Sequence, residues 1–143
     1  MKVSLINSSP YDSLFGIKKK QSLISASWPP LGILYKATVL KEAGVEVSIL
    51  DQPAKGFTIK ETVKWVEEED PDILGFSTYS SSGISAAQIS REVKGYNPEM
   101  TIIFGGHYAT FNDYRILRKY PSVDIIVRGE GEDTIVQLVD FLL

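Results

Sequence analysis

The chain contains no cysteine. That single absence excludes a disulfide framework, a thiolate zinc site, an iron–sulfur cluster ligated by these residues and a cysteine nucleophile. Histidine is nearly absent as well, with His107 alone, and a metal site needs several convergent ligands. Only Asp51 and Glu130 stand in neighbouring loops to help it, so no metal site is expected. No apolar run approaches the roughly 18 residues of a membrane span. Met1-Lys2-Val3-Ser4-Leu5-Ile6 meets the polar Asn7 too early for a signal peptide, which makes the cytoplasm the expected location. Charge of neither sign dominates: 15 Lys and Arg against 18 Asp and Glu give a formal charge of -3. A nucleic-acid role would have to rest on a local patch, and none is expected.

What is present is the composition of one globular domain, 143 residues with 43% hydrophobic and 23% charged. Such a chain folds without disulfides or a structural metal. Short apolar, β-branched runs at Lys2–Asn7, Val45–Leu50, Asp72–Ser77, Met100–Phe104 and Val123–Val127 predict strands. Four are near-continuous apolar runs, as parallel strands covered on both faces require. Val45–Leu50 alternates instead, which places it at a sheet edge. Between the strands, one-sided apolar stripes predict helices: Ile33, Ala37 and Leu40; Ile59, Val63 and Val66; Ala86, Ile89 and Val93; Ile135, Leu138 and Leu142. Pro29-Pro30 precedes the first, Gly44 stops it, and Asp70-Pro71 closes the second. These elements predict an α/β domain with a five-stranded parallel, doubly wound sheet of order 2-1-3-4-5, flavodoxin-like, with helices on both faces. The last helix, expected over 133–143, ends in Phe141-Leu142-Leu143 without a capping residue, as a domain excised from a longer chain would.

In such sheets a ligand lies outside the carboxyl ends of the strands, near the point where strand order reverses. The residues just beyond each strand are small and polar: Asn7-Ser8-Ser9, then Asp51, then Ser77-Thr78-Tyr79-Ser80, then Gly105-Gly106-His107, then Arg128-Gly129-Glu130-Gly131. Glycines permit close approach to the backbone and hydroxyls donate without bringing charge, a description that fits binding better than catalysis. The same glycines also suit tight strand-to-helix turns, and the serine run also suits a loop and helix N-cap. The connection from Tyr11 to Pro30 is long for a βα loop and carries Lys18-Lys19-Lys20 and Trp28. There is no GxGxxG after the first strand, no GxxxxGK[ST] and no GxSxG. A phospho-accepting receiver domain would want Asp where Ser77 stands.

Five ordered motifs are more specific together than any one of them. They are Pro29-Pro30-Leu31-Gly32-Ile33-Leu34-Tyr35, Leu40 to Val47 followed by Asp51, Pro71 to Ser77, Gly105 to Thr110, and Val123 to Glu132. Over nearly the whole chain they resemble the N-terminal cobalamin-binding domain of cobalamin-dependent radical SAM enzymes. Anaerobic magnesium-protoporphyrin IX monomethyl ester cyclases and related Fe-S oxidoreductases and methyltransferases are nearest in character. The resemblance implies that cobalamin is the cofactor, its nucleotide tail lying in the cleft and its corrin facing a C-terminal radical SAM domain of the same chain. By position, Ser77, Thr78, Ser80, Gly105, Gly106 and His107 would line the tail and Asn7, Ser8 and Ser9 the opposite wall. Asp51 belongs to the same rim, while Arg128, Gly129, Glu130 and Gly131 would approach the corrin or the next domain.

Two departures qualify the resemblance. The Asp-x-His-x-x-Gly signature, whose histidine ligates cobalt in methionine synthase-like domains, is absent: Asp12 is followed by Leu14 at the histidine position. The cysteine triad for S-adenosylmethionine and a [4Fe-4S] cluster is also missing and is expected in the following domain. The chain alone is therefore expected to bind and not turn over, serving methyl transfer or an oxidative cyclisation of a porphyrin-type substrate. The alternative is a flavodoxin-like module for another nucleotide-type cofactor, or a degenerate cleft used for protein contacts. Ser77→Phe or Gly106→Trp is expected to fill the cleft and leave the fold intact.

Overall fold

The computed structural model describes residues 1–10 and 29–142. Asp12, Leu14, Lys18, Lys19, Lys20, Trp28 and Leu143 lie outside the described residues. The strands are β1 (Lys2–Asn7), β2 (Glu46–Asp51), β3 (Ile73–Ser77), β4 (Thr101–Gly105) and β5 (Ile125–Ile126). The helices are α1 (Leu31–Glu42), α2 (Gln52–Lys55), α3 (Ile59–Glu69), α4 (Gly83–Tyr96), α5 (His107–Lys119) and α6 (Glu132–Leu142). The strands form one sheet in the order β2-β1-β3-β4-β5, every pair parallel, which is the expected flavodoxin-like arrangement with β2 at an edge.

Alternation along each strand sends side chains to opposite faces, and each face has its own core. On one face Val3, Leu5, Ile73, Ile103 and Val127 meet Ile33, Ala37 and Leu40 of α1 and Ile135 and Val139 of α6. On the other, Ile6, Leu74, Phe76, Ile102 and Phe104 meet Val66 of α3, Ala86, Ile89 and Val93 of α4, and Ala109 and Ile116 of α5. Phe76 and Phe104 pack edge to face with centroids 5.3 Å apart. Ile6, Leu40, Leu74, Ile102 and Phe104 have no exposed surface to speak of, and each such side chain contributes about 1.5–3 kcal/mol.

The helix boundaries have local causes. Pro30 stands at the start of α1, and Gly44 follows it with φ 83°, a left-handed turn. Asp70 caps α3 at φ 45°, ahead of Pro71. At the other end of α3, Thr58 Oγ1 accepts from the Glu61 amide at 3.2 Å while the Glu61 carboxylate accepts from the Thr58 amide at 2.7 Å, a reciprocal capping box.

Differences from expectation are equally local. β5 contracts from Val123–Val127 to two residues, because the Asp124 carboxylate takes the Ile102 amide at 2.7 Å and the Lys94 ammonium at 2.9 Å, a side chain standing in the ladder. In α6 the buried stripe is Ile135 and Val139; Leu138 is half-buried and Leu142 exposed. In α3 Thr62 is buried beside Ile59 and Val66, with Val63 only half-buried. Neither α2 nor α5 was predicted. α5 lacks a one-sided stripe: Ala109 and Ile116 are buried, while Phe111, Tyr114 and Leu117 face outward, and Asn112 (φ -130°) kinks its backbone. Among the described residues no helix is long and apolar enough to cross a membrane.

Candidate functional site: a slot at the strand carboxyl ends

Strand order reverses at β1, which has β2 on one side and β3 on the other. Just beyond this point, on the face covered by α1 and α6, lies a cavity of about 380 Å³. Its depth is apolar, formed by Leu5, Ile33, Ile103, Val127 and Ile135. Its floor is made of positions without side chains, Gly75 in β3 and Gly105 in β4, which pair with Ile103 and Ser77 in the sheet register. A Cβ at Gly75 would meet Leu5 Cδ2 at 2.8 Å and protrude into the slot. Tyr79, His107, Thr110, Phe111 and Gly129 form the mouth. Tyr79 and His107 face each other with ring centroids 6.1 Å apart.

Gly106 is required by the backbone itself. It holds φ 91° and ψ -177°, a region essentially confined to glycine, and a Cβ there would stand 2.6 Å from the Thr78 carbonyl oxygen and 2.8 Å from its amide. This close approach lets the Tyr108 amide donate to the Thr78 carbonyl at 3.1 Å and the Thr78 amide to the Gly105 carbonyl at 2.8 Å. Gly106→Trp therefore disturbs the turn as well as the cleft, contrary to the expectation that it leaves the fold intact.

Of the candidate residues, Ser77, Gly105, Gly106, His107 and Gly129 come together on the slot. Thr78 is buried, its hydroxyl donating to the Gly105 carbonyl at 2.8 Å. The opposite wall is a closed network. Ser8 donates to the Ser77 carbonyl at 3.1 Å, Asn7 donates to the Asp51 carboxylate at 2.9 Å, and the Ser9 amide donates to the side chain of buried Gln52 at 2.9 Å. Ser85 donates to the Ser9 carbonyl at 2.5 Å. These groups set the exit path of β1. Ser80, Arg128 and Glu130 are exposed and outside the lining; Arg128 pairs with Asp113 at 3.4 Å. Gly131 is buried against Val127 and the stem of Lys36.

Residues missed by sequence reasoning include Gly75, Phe111 and Lys36, while Thr110 lies at the end of the motif Gly105 to Thr110. An isolated glycine within the run Ile73-Leu74-Gly75-Phe76 was a legible signal of close approach. Lys36, half-buried, falls three residues after Ile33 and beside the buried stripe of α1. Its ammonium reaches Glu132 at 3.3 Å. The backbone N–H of Glu132 itself, at the start of α6, and the Lys36 charge hold that carboxyl below the ordinary value. Among the described residues no group of three or more His, Asp or Glu is placed to hold a metal ion.

The family model for the B12 binding domain matches residues 23–139. The chain belongs to the B12-binding domain family. This B12-binding domain is 33% identical over 120 residues to an uncharacterized methyltransferase of Pyrococcus horikoshii, a match covering 84% of this chain and 26% of that protein. It is 34% identical over 113 residues to the anaerobic magnesium-protoporphyrin IX monomethyl ester cyclase of Synechocystis, covering 78% of this chain and 23% of that one. The domain thus spans about a quarter of the length of these curated relatives. In three dimensions it superposes on the cobalamin-dependent S-adenosylmethionine radical enzyme OxsB with aqua-cobalamin and S-adenosylmethionine bound, at TM-score 0.74 and 22% identity. That match covers 99% of this chain and 19% of the other, a likeness of fold.

Proposed function

We propose that this domain binds cobalamin with the nucleotide tail inserted in the slot, and that it serves a cytoplasmic radical SAM enzyme performing methyl transfer or an oxidative cyclisation. The observation that carries the reading is the glycine-floored apolar slot at the switch point of a B12-binding family sheet. The residues fit the group. A flat aromatic base needs a narrow apolar space with no side chain on one wall, which Gly75 and Gly105 provide, facing Ile33 and Ile135. The polar tether between base and corrin needs donors at the mouth, where Ser77 and Thr110 supply hydroxyls. Gly129 keeps the entrance open, turning at φ 66° with its amide donated to Thr110 Oγ1 at 2.9 Å.

When bound, cobalamin supplies a cobalt centre for methyl or electron transfer. The chain's own residues would grip the tail and exclude water from its base, with Tyr79, His107 and Phe111 at the rim towards the corrin. They supply no thiolate for an iron–sulfur cluster, so S-adenosylmethionine and [4Fe-4S] are assigned to a radical SAM domain that works beside this one.

With the tail in the slot its base would no longer be on cobalt, a change that the visible spectrum would report. Titration of the chain with hydroxocobalamin, followed spectrally and by calorimetry, is expected to give saturable one-to-one binding with that change. An unchanged spectrum or absence of binding would overturn the reading and favour a different ligand or a protein-contact role for the slot.

A further inference from the structure

Lys36 is the one lysine or arginine among the described residues that line the slot, and it stands on the apolar wall made by Ile33 and Ile135. Its ammonium donates to the Gly32 carbonyl at 3.2 Å and to Glu132 Oε1 at 3.3 Å. Two of its three protons thus have acceptors, and the third has none among the described residues. The site is shaped to hold this side chain. A Cβ at Gly131 would lie 3.1 Å from Lys36 Cε and 2.9 Å from Val127 Cγ1, so the glycine leaves the space the stem occupies. Gly32, one turn before Lys36, likewise lines the slot without a side chain.

Resting on the reading that the nucleotide tail enters this slot, we propose that Lys36 selects the chemical class of base at the end of that tail. It favours a planar heteroaromatic ring with an in-plane acceptor nitrogen, such as a benzimidazole, over a phenolic ring. An in-plane ring nitrogen would bring a lone pair into an apolar space, and a buried acceptor without a donor forfeits its hydrogen bond with water. An ammonium donates and cannot accept, so it satisfies a ring nitrogen and finds only C–H at the equivalent edge of a phenol. The hydroxyls of Ser77 and Thr110 also line the slot, but a hydroxyl both donates and accepts and discriminates less sharply.

The test compares three ligands by calorimetric titration, because two of them carry no ring nitrogen on cobalt and give no base-release signal: cobalamin, a cobamide with a phenolic tail, and cobinamide, which has no tail. Only cobalamin has a cobalt–nitrogen bond to lose, so the informative quantity is how the cobalamin-to-phenolic affinity ratio changes from wild type to variant. Lys36→Met is expected to lower that ratio roughly tenfold. Glu132→Gln, which keeps the ammonium and removes its ionic partner, is expected to preserve the ratio. Because the readout is a ratio, a general loss of stability in either variant moves both ligands alike. An unchanged ratio in Lys36→Met, or a loss as complete in Glu132→Gln, would overturn the role of Lys36 and leave tail insertion standing. Wild-type affinity for cobinamide equal to that for the phenolic cobamide, neither of which has a base on cobalt, would instead overturn tail insertion, and this inference with it.

Discussion

At the scale of single residues, adjacent glycines in Gly105-Gly106 do different work. Gly105 has an ordinary backbone conformation, and a Cβ there would find Val127 O at 3.6 Å and Phe76 O at 3.9 Å, both comfortable contacts. Gly106 combines φ 91° with a backbone clash on Thr78. Gly105→Ala should therefore unfold in urea near the wild-type midpoint, whereas Gly106→Ala should lose about 2 kcal/mol or more. Equal midpoints would show that the turn between β4 and α5 relaxes freely, against the geometry at Thr78. The pair was visible in the sequence as a glycine doublet at a strand exit, but nothing in the letters separates a glycine that floors a slot from one that closes a turn. That distinction depends on which backbone lies opposite, and Thr78 comes from another strand exit. The same limit applies to Ser8, Ser9 and Asp51: polar character placed them at the rim, while their partners Ser77, Gln52 and Asn7 engage them inside the fold.

At the scale of elements, the sheet was legible because each central strand is buried on both faces and so reads as an unbroken apolar run, as in Ile73-Leu74-Gly75-Phe76. β2 was legible as an edge for the opposite reason, since only Leu50 of its residues is fully buried. α5 was not legible, because Phe111, Tyr114 and Leu117 stay exposed and blur the stripe that defines a helix by period. The start of α3 carried a signal that went unread: Thr58 followed three residues later by Glu61, just before the stripe of Ile59, Thr62 and Val66. Thr58→Ala removes the acceptor for the Glu61 amide, and a loss of about 1 kcal/mol in urea unfolding is expected, with Thr58→Ser near wild type. A loss of equal size in Thr58→Ser would place the contribution in the methyl group and not in the cap.

At the scale of the whole molecule, two of the ion pairs among the described residues involve carboxylates whose titration is shifted. Lys2 of β1 meets Glu69 at the end of α3 at 2.8 Å, and Lys36 of α1 meets Glu132 at the start of α6 at 3.3 Å. The hydrogen bond from Lys2 holds the Glu69 carboxyl below its ordinary value of 4.5, and the backbone N–H at the α6 start does the same for Glu132. A carboxylate whose folded pKa is depressed stabilises the native state fully above its unfolded value and loses that contribution as pH falls through the folded value. Both side chains remain partly exposed, at 28% and 32%, so solvent screening keeps their contribution small. The double variant Glu69→Gln, Glu132→Gln should therefore be less stable than wild type at neutral pH. The gap should narrow as pH drops below the ordinary carboxylate value of 4.5 and close in stronger acid. Urea midpoints taken from neutral pH down to about pH 3 measure this, and a gap that stays constant across the range would assign the loss to altered packing and not to charge.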